Sequence, residues 1–154
     1  MEIQTLGREE IGVIERLWEG LRDHHRRRST DFRPQFQHLT FPRRMAALTS
    51  RERFVLFVAR NGDRKPVGYC AATVHGGSGE VDSLFVHPEE RGRGLGERLL
   101  TTALDWLDEQ ACETVRILVA AGNEEVIAFY GRYAFAPRFT VLERKPEGRG
   151  GKRT

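Results

Sequence analysis

The chain is 154 residues long, 39% hydrophobic and 31% charged, with a formal net charge of +3, the profile of one water-soluble globular domain with a core of ordinary size. No run approaches the about 18 apolar residues of a membrane span, the opening MEIQTLGREE lacks the basic-then-apolar order of a secretion signal, and a cytoplasmic protein is expected. So small a charge does not call for nucleic acid as a partner, and Cys70 and Cys112 make neither a metal-ligand pair nor a disulfide framework.

In chain order, EIQTL (2–6) alternates weakly as a first strand. Ile11, Ile14, Leu17, Trp18 and Leu21 then recur at helical spacing, and the charges after Arg22 predict the end of that helix. Residues 23–41 read as a loop, followed by FPRRMAALTS (41–50) as a short second helix. RFVLFVAR (53–60) is rich in β-branched and aromatic residues, Asn61-Gly62 supplies a hairpin turn, and KPVGYCAATV (65–74) returns as its partner. A Gly-Gly-Ser-Gly turn at 76–79 leads into a third strand, EVDSLFV (80–86). Residues 95–109 line Leu95, Leu99, Leu100, Ala103, Leu104 and Leu107 along one helix face, TVRILVA (114–120) is another strand, and Val126, Ile127, Tyr130 and Tyr133 mark another helix. FTVLER (139–144) reads as a last strand, and RKPEGRGGKRT (144–154) as a basic, unfolded tail. The step from EVDSLFV through a helix to TVRILVA has the length of a right-handed crossover, which makes those strands parallel neighbours. The expectation is a single α/β domain over 1–143 with a mixed sheet.

One stretch is costly. VHPEERGRGLGERLL (86–100) places Gly92, Gly94 and Gly96 at the mouth of a helix, where glycine costs about 1 kcal/mol each against alanine. A helix start carries unpaired N–H groups and partial positive charge, and glycines let an anion approach them. Arg91 and Arg93 add charge, so a phosphate or pyrophosphate is the expected ligand. A Walker A loop requires Lys and Ser or Thr after its last glycine, whereas Glu97-Arg98 follow here; a dinucleotide fingerprint requires G-x-G-x-x-G, and the spacing is G-x-G-x-G.

Arg91-x-x-Gly94-x-Gly96 resembles the R/Q-x-x-G-x-G/A signature of the GNAT superfamily of N-acetyltransferases, and LFVHPEERGRGLGERLL (84–100) is similar to that family's strand-proline-loop-helix segment. NEEVIAFYGRYAF (123–135) resembles its second signature through Asn123, Tyr130 and Phe135, with Ala134 where the family usually has Gly. The resemblance implies a mostly antiparallel sheet with a splayed parallel strand pair, helices on both faces, and acetyl-coenzyme A (acetyl-CoA) as co-substrate, without a metal. Leu84, Phe85 and Val86 would bind the pantetheine arm, with an N–H near Phe85 or Val86 facing the thioester oxygen; residues 92–97, among them Leu95, would hold the pyrophosphate, with Arg91 or Arg93 as a charged donor. It also implies Asn123 in the cofactor site, Tyr130 as the acid for the leaving thiolate, and a homodimer as one arrangement.

A proton must also leave the attacking amine. Glu80 and Asp82 lie two apart on a strand, which puts both on one face as candidate base or water-holder; His75 and His87 are weaker candidates. The resemblance also implies an acceptor side in the segment between the first two helices, residues 23–36, where charge and aromatics mix. They suit a small-molecule amine or a peptide amine equally. A rival reading keeps the fold as a module binding coenzyme A or nucleic acid through the basic run 26–28 and the tail.

Overall fold

A computed structural model of the chain describes residues 1–146. Five strands form one sheet in the order β1 (Glu2–Leu6), β2 (Arg53–Arg60), β3 (Pro66–His75), β4 (Ser78–Val86) and β5 (Thr114–Ile117). β1 to β4 are antiparallel to their neighbours and β5 is parallel to β4. A 3-10 segment (Arg8–Ile14) and the helices α1 (Glu15–Arg28), α2 (Arg33–His38) and α3 (Phe41–Thr49) come between β1 and β2. α4 (Leu95–Glu109) makes the crossover from β4 to β5, and α5 (Val126–Gly131) follows.

Alternation along β2 and β3 divides the core in two. Leu56, Val58, Tyr69 and Ala71 face Ile14, Leu17, Trp18, Met45 and Leu48 of the α1/α3 layer. Phe57, Cys70, Ala72 and Val74 face Leu95, Leu99, Leu100, Ala103 and Leu107 of α4. Residues at period two therefore serve opposite layers, as a sheet covered on both faces requires.

β4 breaks this alternation. Ala71 pairs with Ser83 but Ala72 with Val81, so Asp82 is an extra residue, a β-bulge. Directly paired residues share a face; Glu80, opposite Thr73, and Phe85, opposite Tyr69, consequently both lie on the α1/α3 side although five positions separate them. Pairing of β4 with β5 stops at Val81–Ile117, where β5 ends, and β4 runs on to Val86 with no partner on that side.

Four expectations change. α1 runs on to Arg28, its last turn holding His25 and Arg26–Arg28, cations that complement the negative helix end. The expected loop 23–41 contains α2, opened by Pro34 in its first turn. β5 ends at Ile117, and Leu118 beyond it is 71% exposed. Residues 139–144 form no strand: Phe139, Val141 and Leu142 are exposed, and a strand-like pattern with no ladder partner has nothing to hold it. Lys145 Nζ instead ties this segment to Asp31 Oδ1 at 2.8 Å. Beyond Pro146 the expected basic tail lies outside the described residues. Among the described residues no helix is long and apolar enough to cross a membrane.

Candidate functional site

A cavity of about 450 Å³ opens along the C-terminal end of β4, past its last residue paired with β5. β4 lines it with Leu84, Phe85 and Val86, the following loop with Arg91, Gly92, Gly94, Leu95 and Gly96, α1 with Leu21, His24 and Arg28, and the α5 region with Asn123 and Tyr130. The glycine-rich loop meets the helix there. Gly92 has φ 80° and Gly94, the N-cap of α4, has φ 75°, left-handed values that cost a residue with a side chain roughly 1–2 kcal/mol. The backbone N–H groups of residues 92–97 have no acceptor among the described residues; the first bond of the helix is Arg98 N–H to Gly94 O at 3.1 Å. A run of unpaired N–H groups at a helix start fits an anionic diphosphate.

The two loop arginines differ. Arg91 Nε donates to Val86 O at 2.9 Å and its guanidinium stacks 5.4 Å from the Phe85 ring centroid, which fixes the end of β4. Arg93 is 69% exposed with one contact, Nη1 to Glu90 Oε2 at 3.3 Å, and does not line the cavity. Arg91 therefore lines the cavity with its Nε already engaged, and Arg93 lies outside it, paired with Glu90.

At the other wall, Asn123 is buried and its Oδ1 lies 3.1 Å from His24 Nε2, while Arg28 pairs with Glu125. Gly122 permits this join: a Cβ there would sit 2.2 Å from Arg28 O, and its φ is 96°. α1 and the turn before α5 are thus locked together across the cavity. Tyr130 packs on the α4 side of the core beside Phe129 and Phe135. Burial pushes its phenol up to about 12, with Cys70 adding to the shift, so at neutral pH it keeps its proton.

Glu80 and Asp82 lie elsewhere. Glu80 lines a second cavity, of about 320 Å³, with Ala47, Ser50, Arg51, His75, Ser78 and Arg116, and the two cavities share no lining residue. Arg51 Nη1 is 2.5 Å from Glu80 Oε2, 3.2 Å from Asp82 Oδ1 and 2.9 Å from Thr73 Oγ1. From the other side Arg116 Nε stands 3.2 Å from Glu80 Oε1. Burial and the hydrogen bond with Glu80 hold the Asp82 carboxyl up at about 7. Glu80 is lowered: burial opposes ionisation, and the bonds from Asp82 and Arg51 with the charges of Arg51 and Arg116 outweigh it. The pair is therefore one ionised carboxylate facing a cavity, backed by one that carries a proton near neutrality. His75 is 69% exposed, 3.9 Å from Glu52, and His87 accepts a hydrogen bond from Glu89 N–H at the loop.

The Acetyltransferase (GNAT) family model matches residues 17–135. The chain belongs to the GNAT acetyltransferase family. Among its relatives, a mycothiol acetyltransferase of Clavibacter sepedonicus is 40% identical over 80 residues, which is 52% of this chain and 26% of that protein. The chain thus spans about a quarter of the length of that relative. A putative acetyl transferase from Pyrococcus furiosus has the same fold, with a TM-score of 0.70 at 19% identity over 93% of this chain and 99% of the other. An aminoglycoside N-acetyltransferase in complex with CoA superposes with a TM-score of 0.62 at 16% identity over 94% of this chain and 98% of the other.

The structure gathers every cofactor-side residue named from sequence except Arg93 around one cavity, and sets Glu80 at a second with the shielded Asp82 joined to it through Arg51. Sequence reading put His24 in an acceptor-side loop, whereas it stands on α1 beside Asn123 at the first cavity, and it missed Arg51 and Arg116, which flank Glu80. Arg116 had a signal, a cation inside an apolar strand; Arg51 had none, because its role depends on a cross-sheet approach.

Proposed function

We propose that the chain transfers the acetyl group of acetyl-CoA to a primary amine, with both substrates bound together and no covalent enzyme intermediate. The observation that carries this reading is the row of unpaired N–H groups at residues 92–97, set beside the end of β4 that has no partner on the β5 side. The loop would take the pyrophosphate, with Arg93 the exposed cation beside it once it turns from Glu90. The stretch Leu84–Val86 would take the pantetheine arm. His87 N–H bonds Val67 O of β3 at 2.8 Å, and strand backbone groups alternate sides, so the Val86 N–H points away from β3, toward the side where β4 has no strand partner. That group, of the two foreseen, is the donor suited to the thioester oxygen.

Tyr130, protonated at neutral pH, serves as the acid for the leaving sulfur. Glu80 serves as the base toward the amine, and Asp82, whose side chain is fully shielded, acts on it by sharing a proton. The acceptor then enters from the Arg51/Arg116 side, opposite the cofactor loop. Titration calorimetry with acetyl-CoA, together with thiol release from it in the presence of a panel of amines, tests the reading. Saturable binding and amine-dependent release are expected. Binding without release for every amine supports a coenzyme A-binding module instead, and loss of binding overturns the loop assignment.

A further inference from the structure

Acetyl transfer to an ammonium removes two protons from one nitrogen. The first leaves before attack and frees the lone pair. The second leaves afterwards, from the nitrogen that has bonded the acetyl carbon and become positively charged. Glu80 is assigned to the first. The second is shed at the thioester, where a base must come within about 3 Å of the nitrogen, and Glu80 lines a different cavity.

The wall that α1 contributes to the cofactor cavity holds such a group. Leu21, His24 and Arg28 share one helix face, and all three line the cavity together with Val86 and Tyr130. α1 lies against β4 there, since a Cβ on Gly20 would sit 3.1 Å from the Phe85 ring. His24 is one turn further on, about 6 Å along the helix axis, and Phe85 adjoins the Val86 N–H assigned to the thioester oxygen.

His24 Nε2 lies 3.1 Å from Oδ1 of the buried Asn123. An amide oxygen only accepts, so the neutral ring carries its hydrogen on Nε2 and its lone pair on Nδ1. Nδ1 has no hydrogen-bond partner among the described residues and is not shielded from solvent. His25 shows the contrast: its ring packs 5.5 Å from Phe36, and its Nδ1 is shielded. Asn123 is itself held, its N–H bonding Ala120 O at 3.0 Å.

We propose that His24 is a second base, whose Nδ1 takes the proton the nitrogen sheds after attack, with Asn123 holding the ring in the tautomer that leaves Nδ1 open. This rests on the acetyltransferase reading above and adds a catalytic residue to the same site. The amine lone pair forms a bond to the thioester carbonyl carbon, and the carbonyl π pair moves to oxygen. Nδ1 takes a proton from the nitrogen. The pair on oxygen returns, the C–S bond breaks with its electrons on sulfur, and sulfur takes the Tyr130 proton. One proton passing through solvent from the imidazolium to the tyrosinate resets both. The products are the N-acetyl amine and coenzyme A, and the net proton released is the one lost before attack.

The test is thiol release from acetyl-CoA with 2-phenylethylamine, glycinamide, an alanine-terminated peptide and an aminoglycoside as acceptors, followed with whichever is used best. His24→Gln keeps an N–H donor for Asn123 but no base. Its melting temperature should stay near that of the wild type while kcat falls about 100-fold or more, with both KM values nearly unchanged. His24→Ala should be as slow, and added imidazole should restore its kcat at least about tenfold while leaving the wild type and Tyr130→Phe unaffected. The loss should persist from pH 7 to 10, because the second proton must leave even when the amine arrives neutral, and Tyr130, pushed up to about 12, keeps its own proton throughout.

A wild-type kcat in His24→Gln, a loss confined to KM, or a slow His24→Ala that imidazole does not restore overturns the proposal. A loss that vanishes at pH 10 also overturns it, since His24 would then serve the first proton. A wild type that neither binds acetyl-CoA nor releases thiol with any of these amines defeats the acetyltransferase reading itself. The two failures are thus separable.

Discussion

Arg51 Nη1 stands 3.2 Å from Oδ1 of Asp82, a carboxyl group entirely shielded from solvent. The same nitrogen holds Glu80 and Thr73, so one guanidinium organises the acidic pair. Breaking a buried ion pair from one side leaves an uncompensated charge and costs about 3–5 kcal/mol; Arg51 is partly exposed, which places the expected loss for Arg51→Ala at about 2–3 kcal/mol. Denaturant unfolding should show it, more strongly at pH 8 than at pH 6, because Asp82 is more fully ionised at the higher pH.

Asp82 should also give the protein a stability that falls with rising pH. Its carboxyl is held up at about 7, against an ordinary aspartate value of about 4. Between those values the native chain binds more protons than the unfolded one, so stability declines as pH rises through the window. Glu80, lowered in the fold, has the opposite sign, and its contribution is lost only as pH falls below the ordinary carboxylate range. Thermal unfolding from pH 5 to 8 should show the decline in the wild type and a flatter profile in Asp82→Asn. In turnover, kcat/KM should rise as pH passes about 7, and Asp82→Asn should lose that inflection.

Tyr130→Phe removes the phenol while keeping the ring that packs on Phe129 and Phe135. A general acid contributes about 100- to 10,000-fold, so kcat should fall by about that range while acetyl-CoA affinity changes less than threefold. Calorimetry beside steady-state rates checks both. Unchanged kcat would remove Tyr130 from the reaction.

Gly94→Val places a β-branched side chain at φ 75° in the N-cap of α4. No atom lies within 4 Å of a Cβ there, so the penalty is backbone strain, roughly 1–2 kcal/mol, and not a clash. Acetyl-CoA affinity should drop at least tenfold because the N–H groups are re-aimed, with a melting temperature lower by a few degrees.

Gly122→Ala is the contrasting case. Its Cβ would meet a backbone carbonyl, Arg28 O, at 2.2 Å, and backbone cannot step aside as a side chain tip can. A loss of about 3 kcal/mol is expected, which is about 6–12 °C for a chain of this length. The exposure of Asn123 to solvent exchange should rise in the same variant.

Period-two and period-3.6 patterns were legible wherever a residue faces a core: β2, β3, and the leucine face of α4 stand where their spacing puts them. So was the glycine loop at a helix start, since only local geometry is needed to read it. α1 was read as ending at Arg22 because its last turn buries little and depends on charge and on contact with residues 122–125. Residues 139–144 show the reverse error: their β-pattern is sound locally, and strand formation is decided by a partner. At the candidate site, Glu80 and Asp82 were seen as a pair, but the guanidinium groups that pair with them come from a loop and a neighbouring strand.

The extra residue in β4 acts as a frameshift in three dimensions. In an unbroken strand Glu80 and Phe85 would have opposite parity, and one face could display only one of them. With Asp82 inserted, the strand restarts its count, and Glu80 and Phe85 address the same layer. Deleting Asp82 would return β4 to strict alternation at the cost of turning Glu80 toward the leucines of α4. Length changes elsewhere can be absorbed by loops, whereas this strand has its reading frame tied to its chemistry.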